Sequence, residues 1–224
     1  MILSHKYKYI FIKSFKTAST SLEIALSRFC DKEDIITPIK NEDEITRKNK
    51  GYNGPQNYND KLVFHEHMPA SEIKSKINLD VWSKYFKFTV VRNPFNQIVS
   101  AFYWHNKSKE NERKFLFFKK RKKSFEVFFE IKAHHIFEDE YLRYTKNDEI
   151  LVDKFIKFEN FEEGLTLLSK KLNFPEDIYK VFKSIRAKSN IRPIYPDSYS
   201  DLINENINKK ITKLADKIIR LHKY

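Results

Sequence analysis

The stretch that most limits what this chain can become begins seven residues in. Tyr7-Lys8-Tyr9-Ile10-Phe11-Ile12-Lys13 is aromatic and β-branched, the composition of a buried strand, and Leu22, Leu26 and Phe29 then recur at helical spacing. Between them lies Ser14-Phe15-Lys16-Thr17-Ala18-Ser19-Thr20-Ser21, a turn of small hydroxyl residues around one lysine. A strand that feeds a helix through such a turn aims the leading N–H groups, and the positive end of the helix dipole, at whatever fills it. With Lys16 added, the turn suits a tetrahedral anion.

Composition narrows which anion. The chain has 224 residues, enough for one α/β domain with its own core, and reads as a single domain over 1–224. Its three glycines, Gly51, Gly54 and Gly164, lie far from Lys16, so the G-x-x-x-x-G-K-[ST] loop of nucleoside triphosphatases is absent. Cys30 is the single cysteine and falls on the apolar side of the first helix, which suits a reducing compartment. No apolar run approaches the ~18 residues of a membrane span. The N-terminus passes almost directly into a strand, leaving no room for a signal peptide or membrane stem, so the expected location is cytoplasmic. The net charge of +13 favours anionic partners. The joint abundance of Lys, Ile, Asn, Phe and Tyr is the signature of an AT-rich genome, so part of the lysine excess is compositional.

Asp31–Asp60 is polar, carries Pro38, Gly51, Gly54 and Pro55, and reads as one long connection. A short strand is predicted at Lys61–His65 and a helix from Pro69. Phe86–Val91 is a second strong strand, with Asn93 suited to an N-cap and Pro94 to the first helical position. Phe95, Ile98, Val99, Phe102 and Tyr103 then mark one apolar helix face. A basic run, Lys107–Lys123, is interrupted by Phe115-Leu116-Phe117-Phe118. Beyond it the pattern predicts a helix at Ser124–His134, a strand at Phe155–Phe158 and a helix at Phe161–Leu172. An irregular basic loop at Arg186–Pro196 and a closing helix at Leu202–Leu221 complete the chain. Strands alternating with helices predict an α/β fold, a central parallel sheet flanked by helices in three layers.

The Lys16 turn has two readings. Thr20-Ser21-Leu22-Glu23 fits a capping box, with Thr20 as N-cap and Glu23 reaching back. Capping accounts for Thr20 and Glu23 but not for Lys16, Thr17 or Ser19. A second strand-to-helix turn bears on the choice. Ser100 follows Arg92 by eight residues and lies on the helix face below the entry point at Asn93. Arg92, through paired N–H donors, and Ser100 are suited to grip one phosphate. Alternatively, Arg92 pairs with a surface carboxylate and Ser100 is merely packed. Two anion sites at the carboxyl ends of strands in one sheet favour a ligand there.

At this point the residues resemble a known family. Phe15-Lys16-Thr17-Ala18-Ser19-Thr20-Ser21 is similar to the 5′-phosphosulfate loop of sulfotransferases that use 3′-phosphoadenosine 5′-phosphosulfate (PAPS). Arg92-Asn93-Pro94 through Ser100 resembles their 3′-phosphate motif. His67-Met68-Pro69-Ala70-Ser71-Glu72-Ile73, Trp82, Tyr85-Phe86-Lys87-Phe88 and Phe158-Glu159-Asn160-Phe161 resemble bacterial relatives of the Golgi carbohydrate sulfotransferases, as does the closing helix to Tyr224. The resemblance implies a P-loop-like fold, PAPS as donor and PAP as product. Phe15 stands where many relatives have proline and Ala18 where many have glycine, which narrows the φ/ψ range at residue 18. The membrane anchor and lumenal disulfides of the Golgi enzymes have no counterpart here.

The resemblance also implies roles. Lys16 donates to the bridging oxygen as charge builds on the departing phosphate, while Thr17, Ala18, Ser19, Thr20 and Ser21 hold the 5′-phosphosulfate. Arg92 and Ser100 hold the 3′-phosphate, and Lys188, Ser189 and Arg192 either add phosphate contacts or form a solvated basic turn. An acceptor hydroxyl needs a base, and His65-Glu66-His67 at a strand end places two imidazoles on one face. His67 is the first choice, with His65 or Glu66 assisting or substituting. A metal pair is the competing reading, but H-x-H supplies two ligands and no zinc signature accompanies it, so no metal is expected. His134-His135 reads as surface or acceptor-side. The basic run reads as a solvated loop or a lip for an anionic acceptor before a nucleic-acid or membrane surface. The expected function is sulfonate transfer to a hydroxyl, most plausibly on a carbohydrate. The rivals are a nucleotide-dependent phosphotransferase and a non-catalytic basic anion-binding protein.

Overall fold

The computed structural model describes residues 1–60, 62–115, 124–185 and 202–224. In chain order the elements are β1 (Ile2–Ser4), β2 (Tyr9–Ile12), α1 (Ser19–Ser27), β3 (Ile35–Ile36), α2 (Asn41–Asn49), α3 (Ala70–Lys76), α4 (Leu79–Lys84) and β4 (Phe86–Val91). There follow α5 (Pro94–Phe115), α6 (Phe125–Tyr144), β5 (Thr145–Lys146), β6 (Glu149–Ile150), β7 (Lys154–Lys157), α7 (Phe161–Lys171), α8 (Ile178–Lys183), α9 (Glu205–Leu214) and α10 (Asp216–His222). The chain divides into two compact units, Met1–Val91 with Leu142–Ala187, and Arg92–Tyr141 with Lys188–Tyr224.

The first unit holds a sheet in the order β3-β1-β2-β4-β7. β2, β4 and β7 run parallel, with Phe11 opposite Phe88 and Thr89 opposite Phe155. Every residue of β2 is fully buried, as expected of a strand covered on both faces. On one face Tyr9, Phe11, Phe88, Val90 and Ile156 meet Leu22 and Leu26 of α1, Leu165 and Leu168 of α7, and Ile178 and Val181 of α8. Gly164 permits α7 to lie on β7, because a Cβ there would sit 2.5 Å from Ile156 Cγ2. The predicted parallel sheet is mixed at one edge: β1 is antiparallel to both β2 and β3. The reason is length, since the few residues between Ser4 and Tyr9, with Lys8 at φ 52, turn a hairpin and cannot make a parallel crossover.

Asp31–Asp60, expected as a long connection, instead contributes β3 and α2. Its polar side chains are what order it. The Gln56 amide donates to the carbonyls of Asp31 and Asp34 at 2.6 and 2.9 Å, and Asn57 donates to Lys32 at 2.7 Å. The short strand expected at Lys61–His65 does not form over residues 62–65.

In the second unit Asn93 caps α5 as predicted, its Oδ1 accepting the Phe95 N–H at 3.0 Å. Phe102 packs edge-on against Phe125 of α6, with ring centroids 5.2 Å apart. Lys210 of α9 pairs with Glu130 of α6 at 2.5 Å, and Lys217 of α10 lies over the Tyr141 ring. The helix predicted at Ser124–His134 continues to Tyr144, and the closing helix is two, parted at Ala215. The basic run enters the described residues only as the helical backbone of α5 to Phe115. The loop Arg186–Pro196 lies outside them. No helix among the described residues is long and apolar enough to cross a membrane.

Candidate active site

The turn from β2 into α1 is built from inside by hydroxyls. Ser14 Oγ donates to the Val90 carbonyl of β4, so its one proton is spent there, and Thr17 must donate in the 2.7 Å Thr17–Ser14 bond. Ser19 Oγ donates to the Ser14 carbonyl at 2.6 Å. Ser14, Thr17 and Ser19 are all buried, and their hydroxyl protons brace the turn against the sheet. The backbone then curls left-handed twice, at Lys16 (φ 60) and Ala18 (φ 56). Alanine carries the αL conformation at residue 18 where glycine would adopt it freely.

Ala18, not Thr20, is the N-cap, and the first helical bond runs from Leu22 N–H to the Ala18 carbonyl at 3.1 Å. The amides of Ser19, Thr20 and Ser21 therefore head the helix and need acceptors from outside it. The capping-box reading fails because Glu23 turns inward. Its carboxylate is fully buried, 2.7 Å from Lys13 Nζ and hydrogen-bonded to the Met1 amine and to Thr37.

Lys13, the last residue of the predicted strand, is the hub the sequence reading missed. Its ammonium is fully buried and meets Glu23 of α1 and Glu66 of the histidine segment, each at 2.7 Å. Burial alone would lower the Lys13 pKa, but Glu23 and Glu66 raise it. Burial alone would raise the Glu23 carboxyl, yet Lys13, the Met1 amine and Arg47 hold it at about 2. Burial likewise would raise Glu66, and Lys13 and His67 pull it below its ordinary value. The one signal in the sequence was a lysine directly after the apolar run Tyr9–Ile12.

His65-Glu66-His67 is a turn, not a strand end. His67 has φ 62, so the alternation that would align the two imidazoles does not exist. His65 is exposed and lies 3.7 Å from Glu72 of α3. His67 is folded back onto β2, with Nδ1 3.1 Å from the Lys13 carbonyl. A carbonyl only accepts, so Nδ1 carries the proton and the neutral ring presents a lone pair at Nε2. Burial, then Lys13, then Arg143 lower its pKa, and Glu66 opposes them, leaving about 4. Phe15 links the parts: its ring lies 6.1 Å from His67 and 5.9 Å from Lys16 Nζ.

Lys16 through Ser21 and His67 thus meet at the carboxyl end of β2, and His65 stands apart. Arg92, directly after β4, and Ser100, in α5, are half-buried members of the second unit. Lys188, Ser189 and Arg192 lie outside the described residues. Among the described residues one cluster has metal-ligand spacing, His134, His135 and Glu138, exposed on α6.

Stability should follow these charges. The Glu23 carboxyl is held below its unfolded value, so its contribution is complete above about pH 4.5 and is lost as pH falls toward about 2. Glu23→Gln should lower stability at pH 7 by about 2 kcal/mol, the scale of a hydrogen bond to a charged group. Urea melts between pH 3 and 7 should show the wild type losing its advantage over the variant as pH falls. A constant difference would contradict the ion-pair assignment.

Comparison with known proteins gives three findings. A sequence model described as the sulfotransferase family matches residues 1–221. An uncharacterized protein of Archaeoglobus fulgidus is 26% identical over 117 residues, 50% of this chain and 87% of that one. The crystal structure of mouse sulfotransferase SULT7A1 complexed with PAP superimposes with a TM-score of 0.54 at 17% identity, covering 97% of this chain and 86% of the mouse chain, a likeness of fold.

Proposed function

The chain belongs to the sulfotransferase family, and from that premise we propose that it moves a sulfonate group from PAPS to a hydroxyl of a carbohydrate acceptor. The observation that carries the reading is the meeting of a lysine turn and a neutral imidazole at the end of one strand, with Nε2 left as the accepting nitrogen. The donor supplies an electrophilic sulfur and a phosphate leaving group. Every other requirement falls on the chain.

The residues fit that donor. The amides of Ser19, Thr20 and Ser21, with the two left-handed residues ahead of them, form a concave run of N–H groups for phosphosulfate oxygens. Thr17 and Ser19 act through the backbone, because their hydroxyl protons are spent inside the turn. Arg92 and Ser100 bind the 3′-phosphate. His67 takes the hydroxyl proton at Nε2 as that oxygen bonds to sulfur. Lys16 stabilises the electron pair left on the phosphate oxygen as the old S–O bond breaks. A reaction of this kind rests on positioning and charge stabilisation. Lys188, Ser189 and Arg192 are assigned further phosphate contacts on the resemblance alone. The single buried cysteine accords with a cytoplasmic setting.

Calorimetric titration with PAP and with 5′-AMP tests the donor. PAP should bind more tightly, and Arg92→Ala should weaken PAP by about 10–100-fold while leaving AMP unchanged, as expected for charge-assisted bonds to one phosphate. Equal affinity for the two nucleotides would refute the reading.

A further inference from the structure

α6 carries two successive imidazoles that the chemistry above leaves without a task. His134 and His135 stand exposed on it, and Glu138, also exposed, follows one turn later. One ligand atom from each of the three lies within 4.8 Å of the others. His134 Nδ1 is 3.3 Å from a Glu138 carboxylate oxygen, and the two imidazoles meet edge to face with ring centroids 5.8 Å apart. Helix geometry accounts for the convergence. Glu138 is i+4 from His134 and i+3 from His135, the two spacings at which helical side chains are neighbours, so its carboxylate lies within reach of both rings.

We propose that His134, His135 and Glu138 bind one divalent first-row transition ion, zinc by donor class. Two imidazole nitrogens and one carboxylate suit Zn²⁺, whereas Mg²⁺ and Ca²⁺ favour oxygen donors. Two ligands on a tetrahedral zinc, each ~2.0–2.1 Å from the ion, lie about 3.4 Å apart. The His134–Glu138 pair already has that separation. His135 is exposed and turns in by a change of rotamer that disturbs no core packing. Glu130, one turn before His134, is held by Lys210 at 2.5 Å, so water completes the coordination. The competing explanation is an i,i+4 ion pair between His134 and Glu138. Exposed pairs of that kind contribute little, this one needs a protonated ring, and it gives His135 no part. A shared ion engages all three groups with both rings neutral. It also clips one turn of α6, whose other face buries Phe129, Ala133 and Phe137, so metal binding should stabilise the helix on which this unit packs. None of this depends on the proposed function, since sulfonate transfer calls on no metal.

The test titrates the full chain, without a histidine tag and freed of metal by chelator, with Zn²⁺ by calorimetry and with Co²⁺ by visible absorption. One Zn²⁺ should bind per chain. Co²⁺ should give the d–d bands of a four-coordinate site without an intense thiolate band, because Cys30 is buried. His134→Ala, His135→Ala and Glu138→Gln should each weaken Zn²⁺ at least about 10-fold, the low end of what even an outer-shell partner is worth. His65→Ala, which removes the imidazole near Glu72, should leave Zn²⁺ affinity unchanged. Zn²⁺ should raise the thermal midpoint of the wild type and raise that of Glu138→Gln much less. All three α6 variants should bind PAP like the wild type, which separates a lost ligand from a lost fold. A wild type that binds no Zn²⁺, binding that survives undiminished in His134→Ala and Glu138→Gln, or binding lost in His65→Ala would each overturn the site.

Discussion

Lys16→Met is expected to lower kcat by about 10²–10³-fold, the scale of removing one preorganised donor from a developing anion. Its effect on the Kd for PAP should be far smaller, because the charge Lys16 meets on the bridging oxygen exists only once the S–O bond is breaking. Methionine is the informative replacement. Lys16 occupies a left-handed backbone position at φ 60, and an unbranched side chain there keeps the same backbone cost. The contact of the ammonium with the Phe15 ring is lost with it, but a cation–π contact of this kind is worth only about 0.5–1 kcal/mol, so the urea midpoint should stay near wild type. Single-turnover transfer from labelled PAPS, measured beside PAP calorimetry, separates the two effects. A kcat within threefold of wild type would remove Lys16 from the chemistry.

How far the sequence could be read depended on where the information lay. β2, the following turn and α1 were legible because an apolar run and a helical apolar stripe each bury a face, and burial fixes register. The β4–Asn93–Pro94–α5 junction was legible for a second reason, since capping chemistry is local. β1 was not. Three residues carry no periodicity, and their pairing with β2 is decided by a tight turn at Lys8. The segment Asp31–Asp60 misled because its order comes from amide side chains donating to carbonyls of the preceding loop, contacts that leave no periodic trace. The capping box misled in the opposite way. Thr20 and Glu23 have the right spacing, but the buried Lys13, directly after β2, binds the carboxylate more strongly than a helix N–H would. In the candidate site the residue types were readable, while their partners were long-range and were not. Glu66 was legible as a candidate acid or base, yet in the fold it holds Lys13. Arg143 carried no signal at all, being brought near His67 only by the packing of β5 on α3.

Removing the base should cost about 10²–10⁴-fold in kcat, the range for general-base assistance. The choice of variant decides whether that result speaks about chemistry. His67 stands at φ 62 and is anchored by its bond to the Lys13 carbonyl, so His67→Ala both strains the turn and loses the anchor. His67→Asn tolerates the left-handed position and can donate its amide N–H to the same carbonyl, yet offers no basic nitrogen. Both variants should lose turnover, both should bind PAP like the wild type, and the asparagine variant should also keep wild-type stability. The pH dependence supplies a second reading. The imidazole must be neutral to accept a proton, and its pKa in the free protein is about 4. Wild-type kcat/KM should therefore be level from about pH 5 to 8 and fall only as the pH approaches 4, with the acid limb missing from whatever activity His67→Asn retains. The same depressed pKa means that His67 is neutral in the folded chain while the unfolded chain already binds a proton below about 6.5. Folding stability linked to His67 is thus lost as pH falls from about 6.5 toward 4, and His67→Asn should flatten that part of the urea profile. An acid limb that persists in His67→Asn, or turnover within threefold of wild type, would place the base on another group, and Glu66, held by Lys13 at 2.7 Å, would be the next to replace.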